Sequence, residues 1–343
     1  MKALVLENPN QLVLKQLEKP RPKDDEALVR VKACAICGSD VHGLDDSTGR
    51  RHPPIVMGHE ASGIVEEVGG AVTDFQPGDR VVFNSTLFCG KCRYCRRGMQ
   101  NMCVSGKVFG VSSDSYRLQG AMAEYIAVPA RILHRLPDAV SFEQAALVEP
   151  LSIALHAINS AEISLDDVAV VFGAGTIGIL LVKLLGLSSC GKVIAVDIDE
   201  AKLEFAAKNG ADYAFNPAGI DLQARILERT QGEGADIAFE AVGVPATTRA
   251  GIECLRKAGS LVLLGNLTPS IDISIQKVVL KQLKLIGSYA FANEAETSLK
   301  LMAEKLVTVD DLISVVAPLA EGPQLFERLR SGEKGLRKVI LAP

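Results

Sequence analysis

The stretch at residues 168–178, VAVVFGAGTIG, decides the fold of the second half of this chain. An apolar run, Val168 to Phe172, leads straight into Gly173, Ala174, Gly175, Thr176, Ile177 and Gly178, and the apolar segment 179–187 follows. A strand, three glycines at the GxGxxG spacing and a helix, in that order, turn a weak pattern into a strong one. Gly173 permits the tight turn, Gly175 lets the backbone approach a pyrophosphate, and Gly178 lets helix and strand pack closely. Thr176 and Ile177 are expected among the cofactor contacts, and the helix that follows, 179–187, turns its first N–H groups and positive dipole end to the diphosphate. The next strand, KVIAV, ends at Asp197, 19 residues after Gly178. An acidic side chain there accepts the adenosine ribose hydroxyls and repels a 2′-phosphate, so NAD is expected rather than NADP. Asp199 adds to the repulsion, and Lys202, a turn further on, is placed to reach the ribose. A glycine-rich turn with no ligand is the plainer reading, and the ordered strand, glycines, helix and acid argue against it.

Outward from this motif, ADIAFEAVG, GSLVLLG and LKLIGSY are further apolar runs, separated by helical patterns at 201–209 and 221–231. Apolar runs without alternation suit strands covered on both faces, and helix-length crossovers allow parallel pairing. The expected fold of this half is α/β, a doubly wound parallel sheet, with Val242 after the ADIAFE run among the cofactor contacts. Upstream, residues 1–148 read as short β-rich segments punctuated by Gly and Pro. Downstream, helical patterns at 294–305 and 322–331 precede a closing apolar strand, KVILAP, expected to pair back onto the first domain. The boundaries read as 1–148, 149–288 and 289–343.

With 343 residues the chain is long enough for two domains at roughly 150 residues each. A formal charge of −4 supplies no basic field for nucleic acid or anionic membrane. The apolar runs fall well below the ~20 residues needed to cross a bilayer. MKALVLENPN lacks the apolar stretch of a signal peptide, so a cytoplasmic protein is expected. Six of the eight cysteines lie in the first third, and in a reducing compartment such clustering asks for a metal.

Cys89, Cys92, Cys95 and Cys103 fall in FCGKCRYCRRGMQNMC. Two-residue gaps let neighbouring thiolates converge on one ion, and four thiolates close a tetrahedral zinc site with no open place. Lys91, Arg93, Arg96 and Arg97 would offset its negative charge. An iron–sulfur run commonly brings its fourth cysteine only about three residues on, followed by Pro; here seven residues intervene and Val104 follows.

A second constellation is dispersed: Cys37 in ACAICGSDVHG, His59 and Glu60 in MGHEASG, and Glu149 in VEPLSIALH. One thiolate, one imidazole and one carboxylate leave a fourth place for water or substrate, as catalytic zinc requires. Each residue alone has a plainer reading: Cys37 as a small buried group, His59 as a hydrogen-bonded core histidine, Glu149 as a charge at a helix N-terminus.

GSDVHG after Cys37, GHEASGIVEEVG around His59, PGDRVV at 77–82, the four-cysteine loop, AEYIAVP at 123–129, VEPLSIALHA and VFGAGTIG together resemble the zinc-containing medium-chain dehydrogenases. The similarity runs along nearly the whole chain. The VEPL segment resembles sorbitol, galactitol-1-phosphate and butanediol dehydrogenases more than ethanol dehydrogenases. The resemblance implies a GroES-like catalytic domain carrying both zinc sites, a Rossmann domain binding NAD in a cleft between the domains, and a homodimer or homotetramer. It implies Cys37 and His59 as zinc ligands, with Glu149 and Glu60 competing for the third place and Glu149 favoured. Asp40 would orient His59, Ser39 would take the proton of the substrate hydroxyl, and His42 would pass it towards solvent. The family's glycine pair before AEY is replaced by Gly120, Ala121 and Met122, which bears on substrate shape.

The expected activity is zinc-dependent, NAD-linked oxidation of a secondary alcohol of a polyol or polyol phosphate to a ketone. Threonine or sugar oxidation is the alternative within the family. A nucleotide-binding structural protein of the same fold is the alternative outside catalysis, and the retention of Cys37, His59 and Glu149 argues against it.

Overall fold

A computed structural model describes residues 1–343. The chain divides into two compact units, one formed by Met1–Ser152 with Phe291–Pro343 and the other by Ile153–Ala290.

In the first unit the long strand Glu26–Ala35 is central. Glu60–Val68 pairs antiparallel with it on one side and Lys338–Ala342 on the other, while Tyr125–Pro129 joins its N-terminal half. Arg80–Phe83 and Leu133–Arg135 extend the sheet beyond Glu60–Val68, and Ile313–Pro318 runs parallel to Lys338–Ala342 at the far edge. Alternation along Glu26–Ala35 sends Ala27, Val29 and Val31 inward to join Leu4, Ile55, Met57, Phe109, Met122 and Phe326 in one core. A small sheet of Gln11–Gln16, Lys2–Asn8 and Ile55–Val56 closes over it.

Register along the central strand sets the position of everything that follows. Ala35 stands opposite Glu60 on one side and opposite Ile340 on the other. Cys37, His59 and Lys338 therefore all come to the same end of the sheet, although Lys338 is hundreds of residues from the other two in sequence.

The second unit is a six-stranded, all-parallel sheet in the order Tyr213–Phe215, Lys192–Val196, Val168–Phe172, Ala235–Glu240, Leu255–Leu263, Lys284–Gly287. Numbered within the unit this is 3-2-1-4-5-6, the doubly wound Rossmann order, whose ligand crevice lies where the order reverses, beyond strands one and four. The central strands are covered on both faces, which is why VAVVF and DIAFE read as continuous apolar runs. The three expected helices form with shifted ends: Thr176–Leu185 starts three residues before the expected 179, Glu200–Lys208 one before 201, and Leu222–Arg229 one after 221, the last two capped by Asp199 and Asp221. The GroES-like and Rossmann architectures are thus both present. No helix is long and apolar enough to cross a membrane.

Candidate active site

The strand Val168–Phe172 ends in Gly173, whose φ of +93° belongs to the left-handed region that favours glycine. A Cβ on Gly178 would stand 1.7 Å from the Gly173 carbonyl, so helix and turn meet here only because Gly178 lacks a side chain. Around Gly175 nothing lies within 4 Å of a Cβ position, which leaves the helix N-terminus open to a ligand. Thr176 and Ile177, half-buried, form the first turn of the helix. Asp197 Oδ2 accepts the Ala174 N–H at 2.8 Å and Oδ1 accepts that of Asp199 at 3.0 Å, which ties the acid to the glycine turn. Lys202 is exposed on the next helix. Val242 approaches the same turn, its Cγ2 lying 2.6 Å from where a Cβ on Gly173 would be. Its position is held by Glu240, a fully buried carboxylate that accepts the N–H groups of Val242 and Gly243 and the Thr247 hydroxyl. Sequence reading missed Glu240, although an acid closing a buried apolar strand is a signal in itself.

In the first unit the Sγ atoms of Cys89, Cys92, Cys95 and Cys103 all lie within 4.8 Å of one another, with Cys92 to Cys95 at 3.5 Å and Cys89 to Cys95 at 4.0 Å. A tetrahedral ion with bonds of ~2.3 Å would separate its sulfurs by roughly 3.8 Å, so these thiols already stand at the spacing zinc needs. All are free thiols. Backbone N–H groups aimed at Cys92 pull its thiol down to about 6, whereas burial pushes Cys95 up to about 12.

At the end of the central sheet the short helix Gly38–His42 follows Cys37 and places exposed Ser39 and His42 three residues apart, on one face. Metal-binding atoms of Cys37, His59 and Glu60 converge within 4.8 Å; Glu149 stands outside that cluster, in the first turn of Val148–Asn159. Glu149 Oε1 accepts the Ser85 hydroxyl at 2.9 Å, while Oε2 is buried without a hydrogen-bond partner. His59 Nδ1 is likewise unpartnered, with Asp40 Oδ1 at 3.7 Å. Asp40 Oδ2 accepts the Cys37 N–H at 3.3 Å.

Two cations that sequence reading did not single out enter this region. Lys338 is buried, with Nζ 2.5 Å from Glu60 Oε2 and donating to the Ile36 carbonyl at 3.2 Å. Arg51, also buried, meets Asp40 at 2.8 Å. Lys338 heads an apolar strand, a weak signal; Arg51 in RRHPP carried none. Their charges permit a balance: Asp40 is matched by Arg51 and Glu60 by Lys338, whose field also reaches Cys37 and Glu149, and these two have no ion pair of their own. Burial, with the Glu60 charge adding to it, pushes the Glu149 carboxyl up to about 7, and burial raises the Cys37 thiol well above its usual value. A divalent ion is the species that would let both ionise; the buried Oε2 atoms of Glu149 and Glu60, both without a hydrogen bond, fit such a group, and His59 Nδ1 faces Asp40, which leaves Nε2 for the ion. Of the residues at the departure from the family pattern, Ala121 and Met122 are fully buried, and a Cβ on Gly120 would collide with the carbonyls of Met57 and Gly58.

Residues 23–138 match the family model of the alcohol dehydrogenase GroES-like domain, and residues 175–304 that of the zinc-binding dehydrogenases. D-xylulose reductase A of Aspergillus niger is 34% identical over 323 residues, 92% of this chain and 89% of its own length. Galactitol-1-phosphate dehydrogenase from Escherichia coli superposes with a TM-score of 0.92 at 28% identity, covering 100% of each chain. For 2R,3R-butanediol dehydrogenase from Bacillus subtilis the TM-score is 0.89 at 30% identity, covering 100% of this chain and 99% of that one.

Proposed function

The chain belongs to the zinc-binding alcohol and polyol dehydrogenases, and on that premise we propose that it oxidises a secondary alcohol of a polyol or polyol phosphate to a ketone, reversibly, with NAD as partner. That it is an oxidoreductase of this family is given by the two family models and the curated relative; the substrate, the choice of NAD and the residue roles are the proposal. The observation that carries it is the charge balance at the sheet end, where Cys37 converges with His59 and neither Cys37 nor the nearby buried Glu149 has an ion pair of its own, while Glu60 and Asp40 do. Cys37, His59 and Glu149 hold a catalytic zinc in this reading: Lys338 forms an ion pair with Glu60 Oε2 and none is formed by Glu149, although Glu60 Oε2 and Glu149 Oε2 alike lack a hydrogen bond. Cys89, Cys92, Cys95 and Cys103 hold a second, closed zinc.

When bound, zinc supplies Lewis acidity towards an alcohol oxygen, and NAD supplies the hydride acceptor. The residues of the chain do the remaining work. Ser39 receives the hydroxyl proton and His42, three residues on, passes it to solvent, which is general-base catalysis at a distance. Asp40 sets the His59 ring. Gly173, Gly175 and Gly178 admit the diphosphate to the helix N-terminus with Thr176 and Ile177, Val242 packs at the turn, Asp197 takes the ribose hydroxyls, and Lys202 supports it from the next helix. A second copy of the chain docks on the edge strand Lys284–Gly287, which pairs on one side only and lies near exposed Ile275, Val279 and Leu280.

A panel of polyols and polyol phosphates with NAD and NADP, followed by nicotinamide absorbance on metal-analysed protein, tests this reading. Two zinc ions per chain are expected, and Cys37→Ser keeps the loop metal but loses turnover. Parent-rate turnover by that variant would show the assignment of Cys37 to be wrong.

A further inference from the structure

Arg51 is a cation buried to 3% exposure in a loop whose sequence gives no reason for it. A buried guanidinium is expensive unless its donors are met. Nε and Nη2 both donate to Asp40 Oδ1, at 3.3 and 2.8 Å; Nη1 donates to the Arg50 carbonyl at 3.0 Å; and Nη2 also reaches Ser39 Oγ at 3.4 Å. The surroundings are shaped to this side chain. Gly43 has φ −89°, which any residue adopts, yet a Cβ there would lie 2.4 Å from Arg51 Cγ, so the missing side chain is room for the arginine stem. The loop backbone is pinned on either side of Arg51, where Ser112 N–H donates to the Arg50 carbonyl at 3.2 Å and His52 N–H to the Ser112 carbonyl at 3.1 Å.

We infer that Arg51 is a positioning residue of the alcohol site, one guanidinium that locks the Asp40 carboxylate behind His59 and at the same time orients the hydroxyl of Ser39. The first half follows from Asp40, whose Oδ2 is held by the Cys37 N–H and whose Oδ1 is held by Arg51, so the carboxylate facing His59 Nδ1 cannot rotate. The second half follows from donor counting. A guanidinium has donors only, whereas a hydroxyl has one proton and two acceptor positions. Arg51 occupies an acceptor position of Ser39 and turns its proton away from the interior. In the relay, the substrate proton arrives at Oγ as the Ser39 proton leaves towards His42, so nothing accumulates on the serine. An ion pair kept for stability alone is often replaceable by apolar groups; this one stands between two residues of the proposed reaction.

The inference rests on the proposed zinc and relay roles, and its test separates the two. Arg51→Met, Arg51→Lys and Gly43→Ala are compared with the parent for zinc affinity by chelator competition, and for kcat and KM with xylitol and 2,3-butanediol as probe alcohols. Arg51→Met and Gly43→Ala are expected to weaken one of two zinc ions by about 10- to 100-fold, leave the loop zinc unchanged, and lower kcat with KM little altered. Arg51→Lys, which restores charge but not the fork, recovers part of both. Parent-like zinc affinity and kcat in Arg51→Met and Gly43→Ala overturn the inference, and so does loss of the fold in all three variants, which would make Arg51 a folding residue. Retention of both zinc ions by Cys37→Ser, or a parent inactive on the whole panel, sinks the functional reading instead.

Discussion

At the scale of single residues, each of the two buried cations stands against one buried carboxylate, Arg51 against Asp40 and Lys338 against Glu60. Lys338 pairs with Glu60 inside the sheet end, and burial, which would lower the lysine, is outweighed by the Glu60 charge that raises it. Removing one partner of a buried pair strands the other charge. Lys338→Met is therefore expected to cost about 3–5 kcal/mol of unfolding free energy, measured by denaturant titration, and a cost within error of zero would contradict the buried pair. Asp197 acts on its own carboxylate charge in the second unit. Asp197→Ala should reduce the preference for NAD over NADP by at least about tenfold, about 1.4 kcal/mol, in paired binding titrations. Because Asp197 also accepts the Ala174 N–H, affinity for both nucleotides should fall as well.

At the scale of elements, the loop carrying Arg51 is closed by a histidine between two acids: His52 Nδ1 meets Asp46 at 2.8 Å and Nε2 meets Asp114 at 3.2 Å. The Asp46 hydrogen bond is the main cause of a His52 value raised above its ordinary 6.5. A group whose folded value is raised stabilises fully below its unfolded value and ceases to do so as pH rises through the folded one. The melting-temperature gap between parent and His52→Gln should thus be wider at pH about 5.5 than at about 8.5, and a gap that widens with pH would contradict the assignment. The contiguous candidate sites were the legible ones. The glycine turn and the four-cysteine loop are each contiguous, so residue spacing alone fixes which atoms meet. Helix starts were read to within one to three residues, and the caps that fix them, Asp199 and Asp221 bonding two or three residues ahead, were not singled out in the sequence.

At the scale of the whole molecule, the edge strand Lys284–Gly287 and the helix Ile275–Leu280 present Ile275 at 64%, Val279 at 70% and Leu280 at 71% exposure. An unprotected edge beside an apolar surface invites pairing with a copy of itself about a two-fold axis. Light scattering is expected to give at least a dimer for the parent and a smaller species for Val279→Glu. A parent that remains monomeric at high concentration would remove the proposed interface.

What the sequence determined by itself is everything local: a doubly wound unit with its nucleotide turn, a cysteine loop at zinc spacing, and a β-rich first unit. The tertiary structure alone decided which distant side chains share a charge environment. Ala35 opposite Glu60 and Ile340 brings Cys37, His59 and Lys338 together, and a one-residue slip in either pairing would turn those side chains to the other face. Which acid is neutralised and which left for a metal depends on that register. Register is a property of strand pairs far apart along the chain, so no window of sequence contains it.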